Sequence, residues 1–295
     1  MRRPRAAVPA PALVLGGVVG LEGGAVVAAT VIPLAGIVGT VMLRVGFGAI
    51  GLLVLGRPSL RGLDRRSVLL VIAVGTLLAA HHLCFFAAIH RLPLGVAVTC
   101  EFAGPLTVAL AGSRRRADLL WAVLAAAGVA AAAGVTGGGR ITLPGVLFAL
   151  AAGACWAGYI VVFPLLASSR GRKAGLSLAT TWAAVVVLPL WLATGPGRIF
   201  SPRALALGAA VALLSDVISY SLQSEALGRL SGSLFSILTS TEPAVGALFG
   251  LIALGQQISL PQWGGMLAVV AASIGATATR ATPPDEPAIG PGGKR

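Results

Sequence analysis

From residue 12 to residue 279 the chain is a succession of apolar runs, separated from one another by only a few polar residues. Each run is about as long as a helix that crosses a bilayer, which takes about 20 apolar residues. Ten are legible, at 12–33, 36–56, 68–89, 93–112, 118–136, 144–167, 175–194, 204–224, 231–254 and 261–279. They use up nearly all of the 295 residues, so the spacing predicts an all-α polytopic membrane protein with ten transmembrane helices. Composition agrees: 11% of the residues are charged, where a soluble chain carries about 25%. A soluble domain, a disordered chain, and a receptor or enzyme with a large extramembrane part are excluded.

The formal net charge of +13 does not point to nucleic acid, because the basic side chains are scattered over short loops. With the N-terminus in the cytoplasm, the inside loops hold Arg2, Arg3, Arg5, Arg57, Arg61, Arg65, Arg66, Arg114, Arg115, Arg116, Arg170, Arg172, Lys173, Arg229, Arg280, Lys294 and Arg295. The outside loops hold only Arg91, Arg140, Arg198 and Arg203. The positive-inside rule then puts both termini in the cytoplasm and requires an even number of spans. Three arginines ahead of the first run resemble a signal peptide, but that run is too long and further spans follow, so it is read as a helix. Cys84, Cys100 and Cys155 lie inside apolar runs and suggest neither a disulfide framework nor a metal cluster. Residues 281–295 are Pro/Gly-rich and polar, and are expected to be a disordered cytoplasmic tail.

AIHRLPLGVAVTCEFAGPL (88–106) aligns without gaps to ALGRLSGSLFSILTSTEPA (226–244), pairing Arg91 with Arg229, Leu92 with Leu230 and Pro105 with Pro243 at one constant offset. Five helices per half is an odd number, so the halves must have opposite orientation. The expectation is two inverted five-helix repeats, at 1–140 and 141–280. Inverted repeats with interrupted helices are a transporter architecture, with the substrate site near the membrane midplane.

The segments PLGVAVTCEFAGPLTVAL (93–110), GACWAGYIV (153–161), SYSLQSEALGRL (219–230), TEPAVGALFG (241–250) and AASIGATAT (271–279) resemble the EamA-type exporters of the drug/metabolite transporter superfamily. Within that group they look most like the bacterial threonine and homoserine exporters, over about residues 12–280. The resemblance implies a ten-helix transporter of the bacterial cytoplasmic (inner) membrane that exports small amino acids or similar metabolites, driven by protons. The chain departs from the pattern at Ser219, where the family tends to carry Pro, and at Gln223, where it tends to carry Glu. His81 and His82 replace less basic residues, and Asp216 stands where a small polar residue is expected. These departures put the substrate in question more than the fold.

A charge near the bilayer centre costs about 2.5–3.5 kcal/mol, so ionisable residues inside spans need partners or water. The set is Glu22, Arg44, His81, His82, Glu101, Asp216 and Glu242. Pro105 follows Glu101 by four residues and deprives the Glu101 carbonyl of its helical donor. A carboxylate and a freed carbonyl then meet at one place, suited to gripping an ammonium or cycling a proton, unless Glu101 is a structural partner of Arg44. Pro243 does the same for the Thr239 carbonyl beside Glu242, with Ser236, Thr239 and Ser240 supplying hydroxyls or bonding back to their own helix. Arg44 is read either as a fork for a substrate carboxylate or as a lock on Glu101 or another acid. His81 and His82 point about 100° apart on a helix and cannot both face one cavity; one of them, His82 in the candidate pathway, could relay protons. Asp216, Tyr220 and Gln223 are expected on one face, lining the pathway or forming a polar seam. Trp156 and Tyr159 share another face, against substrate or a neighbouring helix.

The favoured function is a secondary transporter, since no GxxxxGK[ST] run is present to bind ATP. The alternative is an exporter of another cargo, a drug or other metabolite, on the same fold. An intramembrane enzyme would need a nucleophile–base pair or a metal cluster, and neither GxSxG nor HExxH occurs. No catalytic residue, cofactor or metal is therefore expected. The partners are a small-molecule substrate, protons and the lipid bilayer, with a homodimer left open.

Overall fold

The computed structural model describes residues 8–59, 63–111, 116–133, 142–195 and 199–281. Arg2, Arg3, Arg5, Arg61, Arg114, Arg115, Arg140, Arg198, Lys294 and Arg295 lie outside the described residues, as does the expected tail beyond Ala281. Among the described residues the regular structure is helical: α1 (Ala10–Gly56), α2 (Arg65–Ile89), α3 (Leu94–Glu101), α4 (Ala103–Leu110), α5 (Arg116–Ala132), α6 (Leu143–Arg170) and α7 (Arg172–Ala193). There follow α8 (Pro202–Ala212), a π-helical turn (Leu213–Ile218), α9 (Ser219–Leu227), α10 (Gly232–Thr239), α11 (Glu242–Leu254) and α12 (Leu260–Ala281).

Six stretches are long and apolar enough to cross a membrane: Ala10–Gly56, Arg65–Ile89, Leu143–Arg170, Arg172–Ala193, Pro202–Leu227 and Leu234–Leu254. Leu94–Leu110 and Leu119–Ala132 are shorter apolar helices. At 1.5 Å per residue α1 would be roughly 70 Å long, twice what a bilayer needs. It is two helices: Gly36 sits at φ 72°, ψ 169°, three residues after Pro33, and separates limbs 10–35 and 37–56. Only glycine enters that backbone region without strain. The outward surface carries large apolar side chains, among them Leu260 (85% exposed) and Ile252 (80%), which suits lipid rather than water.

Besides α1 and the stretch with the π-helical turn, two of the apolar stretches end one α-helix and begin another in mid-course, and they are the two that align in sequence. The bounds of α3, Leu94 and Glu101, recur as those of α10, Gly232 and Thr239, at the spacing of the sequence alignment. The first break is at Phe102; the second spans Ser240 and Thr241. Pro105 and Pro243 follow the breaks, as the missing proline donors require.

Small residues let the broken helices approach their neighbours. A Cβ on Gly95 would strike Ala247 of α11 at 2.6 Å, and one on Gly104 would run into the backbone of Gly153 in α6. The Gly153 Cα in turn faces the backbone of Glu101. The N-terminus of α3, which Pro93 cannot cap, is closed from the other half of the chain by the Gln256 side chain, accepting from Leu94 N at 2.8 Å. One large apolar cluster, including Phe86, Leu94, Leu166 and Met266, encloses these contacts.

Outside the apolar spans, Asp64 caps α2 by accepting from Ser67 N at 3.1 Å. Its hydrogen bonds with Ser67 hold the carboxyl below the usual aspartate range.

Candidate functional site

The buried ionisable residues converge from separate elements. Arg44, on the second limb of α1, donates from Nε (3.2 Å) and Nη2 (3.0 Å) to the same oxygen of Asp216, Oδ1. Both side chains are 4% exposed. The guanidinium also lies over the Phe86 ring, 5.7 Å from its centroid. Asp216 is brought there by the π-helical turn, a local widening found frequently at functional sites. One turn after Arg44, Gly48 leaves room for Asp216 Oδ2, which is buried without a hydrogen-bond partner.

Within the reading of Arg44 as a lock on Glu101 or another acid, the structure has the other acid, Asp216. Glu101 closes α3 at the first break, and its Oε1 is paired with His81 Nε2 from α2. His81 Nδ1 lies 3.0 Å from His82 Nδ1. The His81 ring stacks on Phe85 (centroids 6.0 Å apart, planes at 2°) and meets the edge of Trp156 at 5.4 Å. Adjacent histidines that diverge on a helix thus still touch each other, because both rings turn their Nδ1 atoms inward.

Glu242 opens α11 after the second break and is 3% exposed. Among the described residues no hydrogen-bond donor reaches its carboxyl. One turn on, Gly246 makes space for Glu22 Oε2, which is buried and unpartnered. Glu22 interacts electrostatically with both Glu242 and Glu101. Among the described residues four acids, Glu22, Glu101, Asp216 and Glu242, are buried against one buried permanent cation, Arg44, which is already engaged by Asp216.

The remaining candidates divide. Tyr220 and Tyr159 bring their hydroxyls together, and Tyr159 stacks on Phe163 at 4.9 Å. Gln223 does not share the face of Asp216 as expected. Ser215, Ser219 and Gln223 pack against Gly24, Gly20 and Gly17 on the first limb of α1, while Asp216 faces Gly48 on the second limb. The π-helical turn is the reason, since it adds to the residues per turn and moves 216 off the stripe that 223 follows. The hydroxyls beside Glu242 turn away from it: Ser240 Oγ bonds Ser236 O (2.7 Å) and Ser273 Oγ (2.6 Å), and Thr239 bonds Ser236 O. Glu22 and His81 were visible as charges in spans but not as site residues. The glycine at 246 and the ring-to-ring contact at 81 are what bring them in. No group of three His, Cys, Asp or Glu suited to a metal ion occurs among the described residues.

Residues 143–278 match the EamA-like transporter family. The chain is 35% identical over 260 residues to the threonine/homoserine exporter RhtA of Salmonella typhimurium (strain SL1344), covering 88% of each chain. It is 35% identical over 263 residues to the threonine/homoserine exporter RhtA of Escherichia coli (strain K12), again covering 88% of each. A solved crystal structure of a protein 19% identical in sequence overlays with a TM-score of 0.63, covering 92% of this chain and 96% of the other, a likeness of fold.

Proposed function

This chain belongs to the EamA-like transporter family of the drug/metabolite transporter superfamily, and we propose that it exports small amino acids such as threonine or homoserine, or related metabolites, in exchange for protons. The observation that carries this reading is the 35% identity to threonine/homoserine exporters along 88% of the chain. The site chemistry supports it. A zwitterion needs an anionic partner for its ammonium and a cationic one for its carboxylate. Glu22 and Glu242, buried together, are the ammonium side, and the guanidinium of Arg44 is the carboxylate side once Asp216 yields it. Acids in such excess over cations also accept protons, so ammonium and proton compete for the same carboxylates and their movements are coupled.

The reading includes ten membrane-crossing helices in two inverted repeats, residues 1–140 and 141–280. Alternating access then comes from the repeats rocking about the paired breaks of α3–α4 and α10–α11, near the midplane. The protein sits in the bacterial inner membrane with both termini cytoplasmic, as the distribution of arginines favours.

The test is efflux from proteoliposomes loaded with labelled threonine or homoserine, with the outside acidified. Export by proton exchange gives faster efflux of both amino acids under the gradient and counterflow of each without it. Movement of lipophilic cations with neither amino acid moving would overturn the substrate; amino-acid efflux indifferent to the gradient would overturn the coupling.

A further inference from the structure

Three side chains form a continuous hydrogen-bonded chain: Glu101 to His81, and His81 to His82. An ionised carboxylate only accepts, so His81 Nε2 must carry the hydrogen that reaches Glu101. In a neutral imidazole this leaves His81 Nδ1 bare, and the 3.0 Å contact then needs the hydrogen on His82 Nδ1. His82 Nε2 is left as an acceptor with no hydrogen-bond partner among the described residues.

We propose that His82, His81 and Glu101 are a proton wire that loads and unloads the carboxylate at the α3–α4 break, with His81 as the middle carrier that cannot be bypassed. The proposal rests on the proton-coupled reading above. A proton from water binds His82 Nε2 as His82 Nδ1–H passes to His81 Nδ1; His81 Nε2–H then passes to Glu101 Oε1. One N–H forms and one breaks on each ring, one O–H forms on the carboxyl, and the net change is neutralisation of Glu101. Unloading runs the same steps backwards. Trp156 and Phe85 hold the His81 ring between its two partners.

Every packed element contributes to the surroundings of the wire. Limb 37–56 of α1 brings Arg44 beside His82, and limb 10–35 brings Glu22. Asp216 of the π-helical turn is within electrostatic range of His81, and Glu242 of α11 within that of Glu101. Tyr159 and Cys155 come from α6, Cys100 from α3, Cys84 from α2 itself and Tyr220 from α9, while α7 carries only Arg172 and Lys173, at its start. None of these groups bridges His82 to Glu101 in place of His81.

The experiment compares His81→Gln and His82→Gln with wild type in proteoliposomes. A glutamine at 81 can still donate to Glu101 but passes no proton on. Proton transfer through positioned side chains contributes on the order of 10²-fold or more, so the acceleration of threonine efflux by a pH gradient should fall about tenfold or more in either variant. Counterflow, which needs substrate binding and alternation but no net proton movement, should remain measurable. Wild-type acceleration in either variant would overturn the wire, as would loss of counterflow together with acceleration in monodisperse His81→Gln protein, which marks a structural role. Wild type that moves no amino acid fails the function reading instead, and the wire is then tested by imidazole ¹⁵N NMR. The chain has three histidines, His81, His82 and His90, so subtraction of the His81→Gln spectrum assigns the rings. With Glu101 ionised, in spectra taken at alkaline pH, the wire requires hydrogen on His81 Nε2 and His82 Nδ1; hydrogen on His81 Nδ1 in that state would overturn it.

Discussion

The two broken helices share the bounds of their first halves and their proline, yet carry their carboxylates on opposite sides of the break. Glu101 is the last residue of α3, where the helix dipole opposes negative charge. Glu242 is in the first turn of α11, where the dipole favours it. The first acid is held by His81, and the second has no hydrogen-bonding partner among the described residues. At the place that corresponds to Glu242, the first break has Gly104, and there α4 closes onto Gly153 of α6. One break is packed shut, its carboxylate hydrogen-bonded to a histidine; the other keeps a carboxylate beside Glu22, whose Oε2 is buried and unpartnered. On the proposed reading the two interruptions do unequal work, the first handling a proton and the second meeting a cationic group.

The sharpest test starts with the buried cation, Arg44, and the acid that holds it. Asp216→Ala leaves Arg44 buried without its partner, and losing one member of a buried pair costs about 3–5 kcal/mol. Thermal unfolding in detergent should show that loss, and Asp216→Ala with Arg44→Met should recover most of it. A single variant as stable as wild type would mean that Arg44 finds another partner, and that Asp216 does not hold it apart from the acids at the breaks. Next in size, Glu101→Gln should remove the response of efflux to a pH gradient, on the order of 10²-fold. Glu242→Gln should instead weaken substrate binding. A hydrogen bond to a charged group is worth about 1.5–3 kcal/mol, so half-saturation should rise roughly tenfold or more. Equal loss of gradient response in both variants would erase the division of labour. The smallest effect contrasts the starts of two other helices, α2 capped by Asp64 and α8 capped by Ser201. The Asp64 carboxyl is held below its ordinary value, so its capping contribution is present above about pH 4 and fades as pH falls through the lowered value. Amide exchange at Ser67 should therefore quicken in acid relative to Ala204, whose cap does not titrate; parallel behaviour would refute this.

Much of this was legible in the sequence. The apolar runs are helical among the described residues, six stretches of them long and apolar enough to cross a membrane, where a helix satisfies the polar groups of its own backbone. The ionisable residues also stood out, since a charge in an apolar run is conspicuous whatever it pairs with. The pairing was not legible. Arg44 could be assigned to Glu101 or to another acid, and the choice depends on a π-helical turn that the residues at 213–218 do not announce. The shared face drawn through Asp216 and Gln223 assumed a regular helix and failed at that turn. Glu22 reaches the site only because Gly246 has no side chain, a contact between residues far apart in the chain that periodicity cannot reveal.

The bond from Gln256 to the start of α3 has a mechanical consequence. Leu94 is 1% exposed, so an amide released there would be left unsatisfied at about 1–3 kcal/mol. Gln256 lies two residues past the end of α11 and is tied to it by its own N–H, which donates to Gly250 O at 3.0 Å. Any tilt of α11 small enough to keep that bond must drag the top of α3 with it. The two interrupted helices are geared through one amide side chain, and shortening it by one methylene in Gln256→Asn would introduce backlash between them.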